Sequence, residues 1–273
     1  MQYVTPIIVL GLMGIVFASL LGIASIVFAV EQDPTEGLIR EALPGANCGA
    51  CGYPGCDGYA KACATNVAPL TLCAVGGPVV AQRLAEIMGV EAVETEKQVA
   101  QVFCRGNDSQ TFKTFDYEGK NDCRTIKSLW TGTNKSCQYG CIGCGTCVNE
   151  CEYGALSLVD GIAQIDKEKC VACKKCIKIC PQNIIHLVPY NATTHIYCSS
   201  YSFGKDVKEV CKVGCIGCSL CVRLAPNEFE MDGKLSKVKY SKDFNIENAR
   251  RAAEKCPAKC IIIDEDSKVE VAN

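Results

Sequence analysis

Cysteine is the residue type in this chain with both the number and the spacing to do chemistry, at 23 of 273 residues. Cys48-x2-Cys51-x4-Cys56 is followed by Cys73. Cys141-x2-Cys144-x2-Cys147-x3-Cys151 is followed by Cys170-x2-Cys173-x2-Cys176-x3-Cys180-Pro181, and Cys215-x2-Cys218-x2-Cys221 by Cys256-Pro257. A short secreted disulfide scaffold reaches a similar cysteine content, but thiols two and three residues apart mean metal. Four thiolates around a compact loop can envelop an iron–sulfur cubane, whose corners need ligands from several directions and whose sulfides need backbone N–H donors. Glycines interleaved with Cys48, Cys51 and Cys56 let the backbone come that close. Zinc is the plainer alternative for a single group, but a doubled x2-x2 run is far more typical of cubanes. The implied chemistry is one-electron transfer.

Other chemistry is poorly provided for. His186 and His195 are the only histidines, and neither neighbours a nucleophile or a second base in sequence, so both read as structural or exposed. No P-loop, nucleophile elbow or strand-anchored G-x-G-x-x-G is present, which leaves no nicotinamide or flavin site. With 28 basic against 30 acidic residues and a pI of 5.8, the chain has no global basic field for nucleic acid.

The two matched runs lie 29 residues apart and resemble a bacterial two-cluster ferredoxin, in which the fourth cysteine of each run serves the other cluster. That resemblance implies one cubane on Cys141, Cys144, Cys147 and Cys180 and a second on Cys170, Cys173, Cys176 and Cys151. Glu152 stands where the ferredoxin pattern has proline. The last run has Arg223-Leu224-Ala225-Pro226 in place of a fourth cysteine and resembles a single-cluster ferredoxin, on Cys215, Cys218, Cys221 and Cys256. Ile246 to Lys255 reads as a helix replacing the lost site, with Ala249, Ala252 and Ala253 on one face. Cys137-Gln-Tyr-Gly-Cys-Ile-Gly-Cys-Gly-Thr-Cys147 matches Cys211-Lys-Val-Gly-Cys-Ile-Gly-Cys-Ser-Leu-Cys221 at seven of eleven positions, which points to duplication of one ferredoxin unit.

Leu43-Pro-Gly-Ala-Asn-Cys48-Gly-Ala-Cys51-Gly-Tyr-Pro-Gly-Cys56-Asp-Gly-Tyr-Ala60, with Cys73, resembles the small four-iron domain shared by the B subunit of Rnf-type membrane complexes and the large subunit of the corrinoid iron–sulfur protein. It implies ligands Cys48, Cys51, Cys56 and Cys73, and leaves Cys63 outside the pattern. Cys63, Cys104, Cys123, Cys137, Cys198, Cys211 and Cys260 then remain, and read by default as buried or idle thiols. Cys137 and Cys211 each stand four residues ahead of a ligand run, with Cys104 and Cys198 upstream. An additional cluster or a ligand swap is the alternative.

These groups need elements to position them. Ile7 to Val30 gives 24 residues without a charge, enough to cross about 30 Å of hydrocarbon. A cleaved signal peptide, with Val27-Phe28-Ala29 as its processing site, would need a basic n-region and a shorter apolar core. No Lys or Arg precedes the span, and Arg40 and Lys61 follow it, so the positive-inside rule places the C-terminal body in the cytoplasm. Gly11, Gly14, Ala18, Gly22, Ser25 and Ala29 share one face, on which a partner helix can approach closely. Pro78 opens a helix with Val80, Leu84, Ile87 and Met88 on one face and Gly89 as its stop. Glu91 to Gln98 reads as a polar linker, Gln101 to Cys104 and His195 to Cys198 as short strands, and Asn191 to Thr194 as the link into the last module. Lys167, Lys169, Lys174, Lys175 and Lys178 form either a dock for an acidic carrier or a solvated face offsetting cluster charge.

The expected fold class is α+β: an N-terminal transmembrane helix (1–30), a four-iron domain (31–77), a linker helix with short strands (78–135), and ferredoxin-like βαβ modules with two clusters (136–190) and one (191–273). This order resembles the B subunit of the Rnf-type ion-translocating ferredoxin:NAD oxidoreductase over nearly the whole chain. The resemblance implies four [4Fe-4S] clusters and no catalytic residue on this chain. It also implies soluble ferredoxin and the other membrane and cytoplasmic Rnf subunits as partners, and a single-pass place in a bacterial or archaeal cell membrane with electrons entering from the cytoplasm. In that family the complex couples ferredoxin:NAD oxidoreduction to Na+ or H+ translocation. A corrinoid-linked electron-transfer protein and a non-redox zinc scaffold are the alternatives.

Overall fold

The computed structural model describes residues 4–27, 33–92, 96–129 and 131–264. Its first element, α1 (Val4–Val27), carries no charge, and its Ile8–Ser25 window is apolar enough to cross a membrane while none of it is buried by the rest of the chain. Nothing lies within 4 Å of a side chain built at Gly11, Gly14 or Gly22, so that part of the small-residue face is open. Ala29 and the Val27-Phe28-Ala29 sequence fall at or outside the described residues.

Three helices follow. In α2 (Pro34–Ala42) the Asp33 carboxylate caps the first turn by accepting from the Thr35 N–H at 2.9 Å, and Pro34 begins the helix where a missing N–H costs nothing. α3 (Gly55–Ala64) and α4 (Gly77–Met88) pack with it around Ile39, Tyr59 and Leu84, all at most 1% exposed. Pro78 lies in the first turn of α4 and Gly89, at φ +66°, ends it, as the sequence pattern requires.

The rest of the chain is one structural unit used twice. The first copy runs β1 (Gln98–Val102), α5 (Cys123–Lys127), α6 (Thr146–Asn149), β2 (Leu156–Val159), β3 (Ile162–Ile165), α7 (Lys175–Ile179) and β4 (Ile185–Pro189). The second runs β5 (Thr194–Ile196), α8 (Lys205–Val210), α9 (Leu220–Leu224), β6 (Phe229–Asp232), β7 (Leu235–Val238), α10 (Ile246–Glu254) and β8 (Ile261–Ile263). In each copy the first strand pairs antiparallel with the last, Ala100 opposite Leu187 and His195 opposite Ile262, and the two middle strands form a hairpin. The α+β content is as expected, but the strand pairs are antiparallel rather than parallel βαβ units. A parallel crossover needs a dozen or more residues and usually a full helix, and α6 and α7 have four and five. Strand β1 starts three residues before the short strand that the sequence places at Gln101 to Cys104, and it joins the ferredoxin unit rather than the linker region 78–135.

The repeated Cys-Ile-Gly-Cys has a structural cause. Gly143 and Gly217 occupy equivalent positions at φ +92° and +71°, and a side chain at either would collide with a hairpin carbonyl, Gly161 O in one copy and Lys234 O in the other. Each Cys run therefore crosses directly over the tip of its own hairpin. The copies diverge at their second helix. Five-residue α7 leads into a cysteine, whereas α10 extends to nine residues, capped by Asn245 and burying Ala249 and Ala252 in the core of its copy. Cysteines make up much of both cores, beside Val99, Ile184 and Ile185 in one and Phe229, Leu235 and Ile261 in the other. Cores this small depend on metal for much of their stability.

Candidate iron–sulfur sites

Site 1 lies in the loop between α2 and α3. Asn47, at φ +47°, turns its side-chain oxygen to accept from the Cys56 N–H at 2.8 Å, which folds the loop back on itself. Cys48, Cys51 and Cys56 all lie close enough to Cys73 to disfavour its ionisation, although burial is the larger cause of its raised pKa. Tyr59 holds the returning segment: its hydroxyl donates to Pro69 O at 2.8 Å and accepts from the Leu72 N–H at 3.2 Å. Cys63 is fully buried under the loop in α3, where burial raises its pKa.

At sites 2 and 3 the thiols of the two Cys runs interleave. Cys141, Cys147 and Cys180 line one cavity of about 400 Å³, and Cys144 sits beside it against Cys123. Cys151 instead lies near Cys173 and Cys176, both of which also neighbour Cys170. Burial first, and then neighbouring thiols, push Cys147 and Cys176 up to about 12, so metal loading has to displace protons from both. Cys170 Sγ accepts from the Ala100 N–H at 3.3 Å, an amide supplied by β1.

Site 4 is lined by Cys215, Cys218, Cys221 and Cys256 around about 350 Å³. Cys260 enters the same cavity, with its sulfur 3.7 Å from that of Cys256. The hydrogen bond from Cys260 is the main cause lowering Cys256 to about 5. Ser236 lies 3.0 Å from Cys221 Sγ. Sequence spacing has no means of finding Cys260, because Lys259 at φ +48° turns the chain back into the site.

Among the described residues, no three His, Cys, Asp or Glu side chains gather tightly enough for a single ion. Zinc would draw its sulfurs to about 2.3 Å from one centre. Thiols set around a cavity rather than converging on one point, with backbone N–H groups aimed at sulfur, fit cubanes instead.

The remaining expectations divide. His195 is structural: it is fully buried and its Nδ1 lies 2.7 Å from the Tyr240 hydroxyl. Four of the five lysines beside site 3 are engaged within the chain. Lys167 pairs with Asp264, Lys169 with Asp166 and Lys175 with Glu152, and Lys174 donates to Ala50 O at 3.3 Å. Of the seven leftover cysteines, Cys104, Cys137, Cys198 and Cys211 line a further cavity between the two ferredoxin copies.

Three family models match the chain: "Putative Fe-S cluster" over residues 43–75, "4Fe-4S dicluster domain" over 140–193, and "4Fe-4S single cluster domain of Ferredoxin I" over 210–263. The chain is 39% identical over 258 residues to the B subunit of the Na(+)-translocating ferredoxin:NAD(+) oxidoreductase complex of Acetobacterium woodii, covering 94% of this chain and 76% of that one. It is 39% identical over 212 residues to the B subunit of the ion-translocating oxidoreductase complex of Methanosarcina acetivorans, covering 77% and 80%. With the B subunit of the proton-translocating ferredoxin:NAD(+) oxidoreductase complex of Clostridium ljungdahlii the identity is 34% over 210 residues, covering 76% and 74%. The corrinoid and zinc-scaffold alternatives are not favoured. The chain belongs to the B subunits of Rnf-type ion-translocating ferredoxin:NAD oxidoreductase complexes, as an iron–sulfur electron-transfer subunit.

Proposed function

We propose that this subunit takes electrons from reduced ferredoxin and passes them through sites 4, 2, 3 and 1 toward the membrane. In this reading the sixteen cysteines named for sites 1 to 4 are the ligands, and [4Fe-4S] clusters bound there supply one-electron storage. The observation that carries the route is the join between site 3 and site 1. Lys174, the residue after Cys173, donates to the carbonyl of Ala50, which lies between Cys48 and Cys51. Cys48 is also close enough to Cys173 to raise its pKa, after burial as the first cause. Site 2 adjoins site 3 in the same way, through Cys147 and Cys176. In chain order site 1 comes between the apolar helix α1 and these sites.

The reading includes a single-pass anchor with the body in the cytoplasm, where thiols stay reduced. Because four of the five lysines beside site 3 are tied to the chain itself, the exposed Lys205 and Lys208 of the C-terminal module are the better dock for an acidic ferredoxin. A Cys73→Ser variant in the assembled complex tests the route. Sites 2 to 4 should still be bleached by reduced ferredoxin, while ferredoxin-dependent NAD reduction is lost. Undiminished NAD reduction with site 1 empty would overturn it. A reporter fused after Asn273 should be active only as a cytoplasmic fusion, and labelling of that end from outside intact cells would reverse the orientation.

A further inference from the structure

Four cysteines outside the ferredoxin and four-iron patterns meet at the joint between the two copies of the repeated unit. Cys104 follows β1 and Cys137 precedes the first Cys run; Cys198 follows β5 and Cys211 precedes the last run. Each copy thus contributes one thiol from the end of its outer strand and one from four residues ahead of its ligand run. All four line a cavity of about 430 Å³, matching the cavities of about 400 and 350 Å³ at sites 2 and 4.

The sulfur environment repeats with the chain. Cys104 Sγ accepts from the Cys141 N–H at 3.4 Å and is also met by the Gly106 amide. Cys198 Sγ accepts from the Ser200 N–H at 3.4 Å and is met by the Cys215 amide. The equivalent Gly140 and Gly214 form part of the wall. A Cβ at Gly140 would lie 3.5 Å from the sulfurs of both Cys104 and Cys137, and one at Gly106 would lie 3.6 Å from Cys104 and 3.7 Å from Cys211. Lys135 also lines the cavity and is only 3% exposed, with its ammonium donating to Gly106 O at 3.2 Å and Gly161 O at 2.8 Å. The same ammonium lies 3.5 Å from the Asp108 carboxylate, so Lys135 offsets only part of the negative charge that four thiolates around a cubane make.

We propose that Cys104, Cys137, Cys198 and Cys211 form a fifth [4Fe-4S] site, built half from each ferredoxin copy. The inference rests on the electron-transfer reading and deepens it, because the new site closes a gap in the route. Its Cys104 sulfur is bonded by the amide of Cys141, a site 2 ligand, and its Cys198 sulfur by the amide of Cys215, a site 4 ligand. An electron entering the C-terminal module therefore has a stepping place before site 2, and no bond is made or broken as it passes.

Iron and acid-labile sulfide are counted in the full chain purified without oxygen. The expected content is about twenty of each per chain, and Cys137→Ser with Cys211→Ser should remove about four of each, along with one reduced-cluster spin. Cys63→Ala, at a thiol buried beside site 1 and away from this joint, should leave those four irons and that spin in place. Wild-type protein with about sixteen irons overturns the fifth site even if the double variant fails to fold, and so does a double variant that keeps every iron. One zinc beside sixteen irons also overturns it. Absence of iron altogether would instead overturn the electron-transfer reading on which it rests.

Discussion

Tyr59→Phe is a local test of how site 1 keeps Cys73, the fourth ligand proposed for it. The ring is 1% exposed and stays packed as Phe, so only the hydroxyl is lost. That hydroxyl makes two bonds, to Pro69 O and from the Leu72 N–H, and these tie the segment leading to Cys73 onto α3. A net bond contributes about 0.5 to 1.5 kcal/mol, and a wholly buried orphan costs about 1 to 3. Pro69 and Leu72 are themselves exposed, so water takes over part of the pairing, and the loss is set at about 1 to 2 kcal/mol. This raises the population in which Cys73 has swung away by a factor of about 5 to 30. The assay is iron release to a chelator from the fully loaded chain, followed by absorbance without oxygen. About a quarter of the iron in sites 1 to 4 should leave faster by about that factor, with the rest unchanged. Unchanged release, or equal acceleration at every site, would refute the role given to Tyr59.

Lys205→Gln with Lys208→Gln should slow reduction by ferredoxin at low salt and flatten its salt dependence without loss of iron; a wild-type rate at low salt would remove this docking face. Burial lowers His195 to about 4 from its ordinary 6.5, against the opposing pull of Asp264 and with help from Lys167. The unfolded chain therefore binds the extra proton first, and the C-terminal module should lose about 3 kcal/mol of stability as pH falls from 6.5 toward 4. Thermal melts of His195→Gln should lack that slope, and an identical slope would place its origin elsewhere. Gly14→Leu with Gly22→Leu should release the subunit from its membrane partners while it stays in the membrane, because bulk on that face keeps helices apart; normal co-purification would show that the open face is not the contact.

Features governed by local chemistry are legible in the sequence. Pro78 and Gly89 bound α4, and Ala249 and Ala252 face inward on α10, because caps and helical periodicity act over a few residues. The turn Asp160-Gly161 is an equally local signal for the β2–β3 hairpin, with both residues at positive φ, though the cysteine runs on either side draw the eye from it. Strand pairing is less legible. β1 meets β4 some ninety positions away, and the pairing that carries Cys104 to its place follows from tertiary packing rather than spacing. For the same reason Cys104, Cys137, Cys198 and Cys211 read as spare thiols in sequence, and only the folding of two distant strands brings them together. The lysine cluster beside site 3 misleads in a related way: its charge is evident in sequence, but Asp264 and Ala50, which engage two of its members, lie about a hundred residues away.

Anaerobic mixing of the loaded full chain with reduced ferredoxin, followed as bleaching near 400 nm, tests the central claim most directly. Electron transfer predicts rapid bleaching of the iron–sulfur absorbance, with about one electron taken up per cluster and oxidised ferredoxin formed in equal amount. Fully loaded protein that ferredoxin leaves unbleached, while dithionite reduces it, would contradict the claim that this subunit takes electrons from that donor.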